Sequence, residues 1–238
     1  MLFFIPFLFI LIVIIVIVMI VKRKGGSTSY SGVDEDYGEE GPPDHDPAQV
    51  SAALDELKAR DENFSEDMFI SRVNNMFIQL QEAWQEKDWK KVRPFESDEL
   101  FNMHAKQLQD YIRANQTNIV AEIAILKTEI VGCHEDGATE SLDIYMRTRF
   151  KDYVIDDETK KVVEGDPHRE NYMEYLLVMA RKKGVMTKVE QNTTVSTCPN
   201  CGANVSINAS GECEYCGSVV SNGDFDWVLT RMDVISQS

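Results

Sequence analysis

The sequence predicts an α+β fold, with two or three helices packed on one face of an antiparallel sheet. Three observations carry this. Apolar residues recur at helical spacing from Phe69 to Trp84 and again after Ser97; the period changes to two after Asn118; and the alternating segments run to Ile235, interrupted late by two Cys-x-x-Cys pairs. The chain has 238 residues, 43% of them hydrophobic and 9% aromatic, enough for one ordinary domain plus an anchor and a small module. Its formal charge of -16 argues against a phosphate-binding surface, so no nucleic-acid partner is expected.

Residues 1–21 contain no charge and one proline, and Lys22-Arg23-Lys24 follows at once. A helix rises about 1.5 Å per residue, so about 20 apolar residues cover the hydrocarbon core of a bilayer. A cleaved signal peptide would put its basic residues before the apolar run and a small-residue cleavage site after it. Here the basic cluster comes after, and no Ala-x-Ala pattern follows. The expectation is one uncleaved transmembrane helix over 1–21. Lys and Arg beside a span stay on the cytoplasmic side, which puts the amino terminus outside and the rest in the cytoplasm, at the cell membrane. Paired Cys-x-x-Cys thiols, kept reduced and available for metal, agree with that compartment.

From Asp34 to Asp67 there are thirteen acidic residues against two basic ones, Lys58 and Arg60. Such a composition buries too little apolar surface to offset the entropy of ordering. Residues 22–60 therefore read as an acidic linker, with a possible short helix over Asp46–Arg60 that puts Val50, Leu54 and Leu57 on one side. The domain is expected over 61–238.

Its first long helix is signalled by Ser65 as N-cap, Glu66 and Asp67 in the first turn, and Phe64 placed to staple onto Phe69. Residues 69, 73, 76, 77, 80 and 84 keep one apolar face, and the helix should end near Trp89. Pro94 separates it from a second helix capped by Ser97, with Asp98 and Glu99 following. Phe101, His104, Leu108, Tyr111 and Asn115 then share a stripe, on which His104 reads most simply as a core or boundary residue.

Ile119, Ala121, Ile123 and Ile125 begin a strand that continues to about Cys133, with a turn at His134–Gly137. Leu142, Ile144, Met146, Thr148 and Phe150 alternate with polar neighbours, as a half-buried strand does. Asp156–Gly165 reads as a polar turn region. Tyr172–Arg181 is apolar on both sides and should be central, and Phe225–Ile235 should be the last strand.

Between those last two strands lie Cys198-Pro199-Asn200-Cys201-Gly202 and Cys213-Glu214-Tyr215-Cys216-Gly217. Each Cys-x-x-Cys turn aims two thiolates at one point, and four sulfurs at about 2.3 Å satisfy a tetrahedral zinc. The expectation is a structural Zn2+ held by Cys198, Cys201, Cys213 and Cys216, in a ribbon over 190–222 inserted in a hairpin. Four cysteine ligands leave no open position for catalysis. No Lys or Arg lies between Cys198 and Cys216, unlike ribbons that grip nucleic acid. The fifth cysteine, Cys133, reads as a free thiol at a strand end in spite of its neighbour His134, because no further ligands are in sight.

Residues 68–95 (MFISRVNNMFIQLQEAWQEKDWKKVRPF) resemble the first long helix of Tim44-like domains, with its QEAW…DW…RPF ending. Asp156–Gly165 (DDETKKVVEG) resembles that family's polar hairpin, with Lys160 where a glycine is expected; Glu174–Arg181 and Trp227–Leu229 resemble its closing strands. The resemblance covers about Phe64 to Ile235 apart from the cysteine module. It implies an NTF2-like cone, a curved sheet wrapped around helices with an apolar pocket, and a non-enzymatic, transport-type scaffold that binds a protein partner, a lipid or an apolar ligand at the membrane. Two other functions are open. His104 and Glu174 are the candidates for a catalytic pair in a cone pocket, and the four thiolates are the candidates for a redox or metal sensor.

Overall fold

The computed structural model describes residues 41–187, 195–197, 204–206 and 226–238. The described residues from 42 to 237 belong to one compact unit. Three helices come first: α1 (Pro47–Arg60), α2 (Glu66–Gln85) and, after a 3-10 helix at Trp89–Phe95, α3 (Asp98–Ala114). The strands follow: β1 (Gln116–Asp136), β2 (Thr139–Asp156), β3 (Val162–Gly165), β4 (Asn171–Lys182), β5 (Val195–Thr197), β6 (Asn204–Ser206) and β7 (Val228–Gln237). The main sheet is antiparallel in the order β1-β2-β4-β7, with β3 paired to the far end of β2. This is the expected α+β arrangement.

The helix starts follow the local chemistry. Asp46 accepts from the amide of Ala48 at 2.9 Å, and Pro47, whose fixed φ suits a first turn, follows it. Ser65 accepts from Met68 at 3.5 Å and Ser97 from Leu100 at 3.3 Å, so both expected caps are present. The Phe64 and Phe69 rings are 5.6 Å apart, in staple fashion. α2 stops at Gln85, short of Trp89, and the next residues tighten into the 3-10 helix that accommodates Pro94. α3 ends on Asn115 in the left-handed conformation, φ 55°.

α1 is the short helix expected over Asp46–Arg60 within the acidic stretch. Leu54 and Leu57 are 4% and 1% exposed and join the main core, with Val50 packed against it. The helical spacing of these few apolar positions lets them bury together in spite of the acidic composition around them. The ordered structure thus starts upstream of residue 61.

The alternation in β2 and β4 places Leu142, Ile144, Met146, Thr148 and Phe150 beside Met179, Leu177, Tyr175 and Met173 on the helix-facing side. β4 lies between β2 and β7, as its two apolar faces predicted. Phe77 of α2 meets Tyr175 at 5.3 Å between centroids, and Trp84, Trp89 and Leu108 fill the same interior. β1 is longer than expected and carries three register shifts against β2, one beside Glu122 at φ 55°; such bulges bend an edge strand. Pairing continues through His134 and Glu135, which confines the turn to Gly137 and Ala138, with Gly137 at φ 56°. The polar region at Asp156–Gly165 contains the short strand β3.

β5 and β6 pair antiparallel, Thr197 opposite Asn204. The four zinc-ligand candidates, Cys198, Cys201, Cys213 and Cys216, and the anchor over 1–21 lie outside the described residues. Among the described residues, no helix is long and apolar enough to cross a membrane, and no group of three or more His, Cys, Asp or Glu could hold a metal ion.

Candidate functional site

Among the described residues, buried or half-buried ionisable side chains enter the helix-facing interior at three places. The first surrounds Glu96, which follows the 3-10 helix and is fully buried. Its Oε2 accepts from Trp89 Nε1 at 3.1 Å, and its Oε1 lies 2.6 Å from His104 Nδ1. The segment is fixed from the sheet side, because Ser97 donates its amide to the carbonyl of Leu229 at 2.9 Å. Trp89 stands edge-on to His104 at 5.3 Å and to Trp84 at 5.5 Å, and Trp84 reaches Tyr111 at 5.7 Å. A carboxylate with both oxygens engaged and an aromatic wall beside its imidazole is built to hold the α3 entry in place.

Glu174, the other catalytic candidate, does not meet His104. It neighbours Tyr175 on β4 and so points to the opposite face of the sheet, where Arg147 Nε is 3.7 Å from its Oε1. Tyr145 lies on that face too, its phenol pushed up to about 12 by burial and by the charge of Glu174. The sheet separates the two residues proposed as a pair, so they cannot act on one reacting atom.

The second place is Asp152, near the far end of β2. Asn118 Nδ2 donates to its Oδ1 at 2.5 Å. Burial pushes the Asp152 carboxyl above the usual carboxylate range, only partly offset by that hydrogen bond. Tyr111 and Tyr175 are pushed upward as well, first by burial and then by the Asp152 charge.

The third is Arg181, at the other end of β4 and 2% exposed. Its Nε donates to Glu140 Oε1 at 2.5 Å and its Nη1 to Asp61 Oδ2 at 2.9 Å. The guanidinium lies over the Trp227 ring at 4.3 Å. Asp61 also receives the Thr187 amide at 2.9 Å and hydroxyl at 2.6 Å. Arg72 of α2 pairs with Asp226 at 2.7 Å. Thr187 and Asp226 are the last and first described residues around the cysteine insertion, so both of its stems are tied to the helical layer. Leu57, Arg60, Val185 and Met186 border a shallow cleft beside Arg181.

Cys133 packs against the core, and burial pushes its thiol up, as for an inert buried cysteine. His134 Nε2 pairs with Asp143 Oδ2 at 3.0 Å on the exposed side. Glu96, Asp152, Asp61 and Arg181 were not visible as site residues in the sequence. The nearest signal was the clustering of Trp89, Glu96 and His104 within sixteen positions of one another.

No curated protein matches the chain. Among solved structures, the intermembrane space region of the chloroplast protein ARC6 aligns with 69% of this chain and 95% of its own, at 7% identity and a TM-score of 0.35. Residues 50–194, more than half of the chain, match the Tim44-like domain family. The chain therefore belongs to the Tim44-like domain family.

Proposed function

We propose that this protein is a membrane-tethered, non-enzymatic binding or scaffold protein of the transport type. Its domain holds a protein segment, a lipid or another apolar ligand at the cytoplasmic face, and a structural zinc ribbon projects from it. The observation that carries the reading is the Tim44-like match over 50–194. The apolar run over 1–21 followed by Lys22-Arg23-Lys24 supports the tether and its orientation. The buried polar groups are engaged with one another, Glu96 with Trp89 and His104, Arg181 with Asp61 and Glu140, which suits a rigid platform.

Support for the ribbon comes from the β5–β6 pairing. Thr197 pairs with Asn204, and Cys198 and Cys201 fall between these two positions in the sequence. A Cys-x-x-Cys-Gly sequence beside a strand pair suits a zinc knuckle, which Cys213 and Cys216 would complete. The metal would fold the module and supply no chemistry, since four thiolates close its coordination.

Proximity labelling tests the binding role. A labelling enzyme is fused to the carboxyl terminus of the full chain and, separately, to the anchor and linker alone (residues 1–40). The expected result is a set of neighbours found with the full chain and not with the anchor. Identical sets from the two fusions would show that the domain holds nothing at the membrane.

A further inference from the structure

We infer that β7 is a self-complementary edge, through which two copies of this chain pair antiparallel about a two-fold axis at Met232. β7 is the last strand in the sheet order, and among the described residues no strand pairs with its free side. The start of that side is closed by Ser97, whose amide donates to Leu229 O at 2.9 Å. Beyond it, Arg231–Val234 run in unbroken register with Val178–Tyr175, bracketed by register shifts at either end. The opposite edge of the sheet is blunted further. β1 carries three register shifts, and α2 side chains roof it, Gln85 accepting from the Val120 amide at 3.2 Å. Bulges and covers of that kind blunt an edge; β7 has two register shifts of its own, but the four residues between them are regular and, among the described residues, have no strand against them, which invites pairing.

The occupant follows from symmetry and charge. A two-fold axis through an antiparallel ladder must place one residue opposite its own copy, because hydrogen-bonded and non-bonded pairs alternate along the ladder. Centring on Arg231 sets two arginines against each other, and centring on Asp233 sets two aspartates against each other. Centring on Met232 sets Arg231 opposite Asp233 of the second copy, and Asp233 opposite its Arg231. These two charges face the solvent side of the sheet, with side chains 57% and 51% exposed, and they now pair within one chain at 3.0 Å. An exposed pair of that kind is worth little, so exchanging it between copies costs little. Met232 and Val234 lie opposite Leu177 and Tyr175 on the helix-facing side, so the two cores would continue into each other. A strand of an unrelated partner would have no reason to carry this reversed charge order.

Two epitope-tagged forms of the full chain are co-expressed, and one is captured through the other from detergent extract. Wild-type copies should capture each other. Arg231→Asp with itself and Asp233→Arg with itself each place two like-charge pairs in the ladder, and capture should fall roughly tenfold. Arg231→Asp mixed with Asp233→Arg restores two opposite-charge pairs and should recover capture. As a second readout, Met232→Cys in extract treated with a mild thiol oxidant should form a disulfide-linked dimer absent from wild type treated alike, because directly opposite Cα atoms stand about 4.5–5.5 Å apart, within disulfide reach. Absence of wild-type capture, capture indifferent to the single reversals, or a mixed pair no better than the like pairs overturns the proposal.

Discussion

The Arg181 guanidinium donates to Asp61 Oδ2 at 2.9 Å, joining residues 120 positions apart in the chain. Through that bond the corner between α1 and α2 is fixed to the end of β4. Glu140 engages the same guanidinium at 2.5 Å and Trp227 lies beneath it at 4.3 Å, so one cation organises two carboxylates and a ring. Replacing it by Met would keep much of the volume, leave the nearly inaccessible Asp61 carboxylate without its cation, and leave Glu140 with Arg60 alone at 3.2 Å. Removing one partner of a buried ion pair costs about 3–5 kcal/mol. Arg181→Met is therefore expected to lower unfolding free energy in urea by about that amount. A loss below about 1 kcal/mol would mean the network behaves as a surface ion pair.

Asp61 adds a pH dependence of defined sign. Burial opposes its ionisation, but the Thr187 hydroxyl and amide and the Arg181 guanidinium outweigh burial and hold its carboxyl below the usual range. A depressed folded pKa gives stability that is present above the unfolded value, about 3.9, and lost as pH falls through the folded value. The gap in melting temperature between wild type and Asp61→Asn should be constant near neutrality and shrink below about pH 4. A gap unchanged in acid would show that Asp61 does not titrate with folding.

Asp152 predicts the reverse. Burial raises its carboxyl, against the lowering effect of the Asn118 hydrogen bond. The native state then holds the proton more tightly than the unfolded chain, so this contribution is present below the unfolded pKa and lost as pH rises through the folded one. Asp152→Asn stays neutral and can still accept from Asn118. It should melt higher than wild type at pH 7 or so, with the difference vanishing in acid. A lower melting temperature for the variant at neutral pH would count against the buried-charge account.

What the sequence discloses divides along local and non-local lines. Ser65 and Ser97 were legible as caps because capping needs only the next three residues. The alternation from Leu142 to Phe150 was legible because a half-buried strand writes its two faces with period two. Glu96 was not, since a glutamate just before an N-cap looks solvated until Trp89 and His104 close on it. α1 was legible as a helix, but its place in the core depends on contacts with β1 and on the Asp61–Arg181 bond, which no window of sequence contains. The pairing of His104 with Glu174 failed for a similar reason. One is on α3 and the other on the far face of β4, and a side assignment needs the register with β2.

The metal reading is tested independently of any partner. The full chain should carry one zinc per molecule by elemental analysis, and cobalt exchanged for zinc should give the visible absorption of a tetrahedral thiolate site. Cys198→Ser or Cys213→Ser removes a thiolate that the ion cannot replace from water without losing affinity, so the variants should bind zinc more weakly and release it at higher pH than wild type does. The Asp61–Thr187 and Arg72–Asp226 contacts hold the stems of the insertion from the helical layer. Chelation should therefore abolish the cobalt spectrum and expose the module to protease between 190 and 222, while the melting of the α1–β7 core moves little. A chain that binds no zinc, or a core that melts in step with chelation, would remove the inserted ribbon as a self-contained, metal-folded unit.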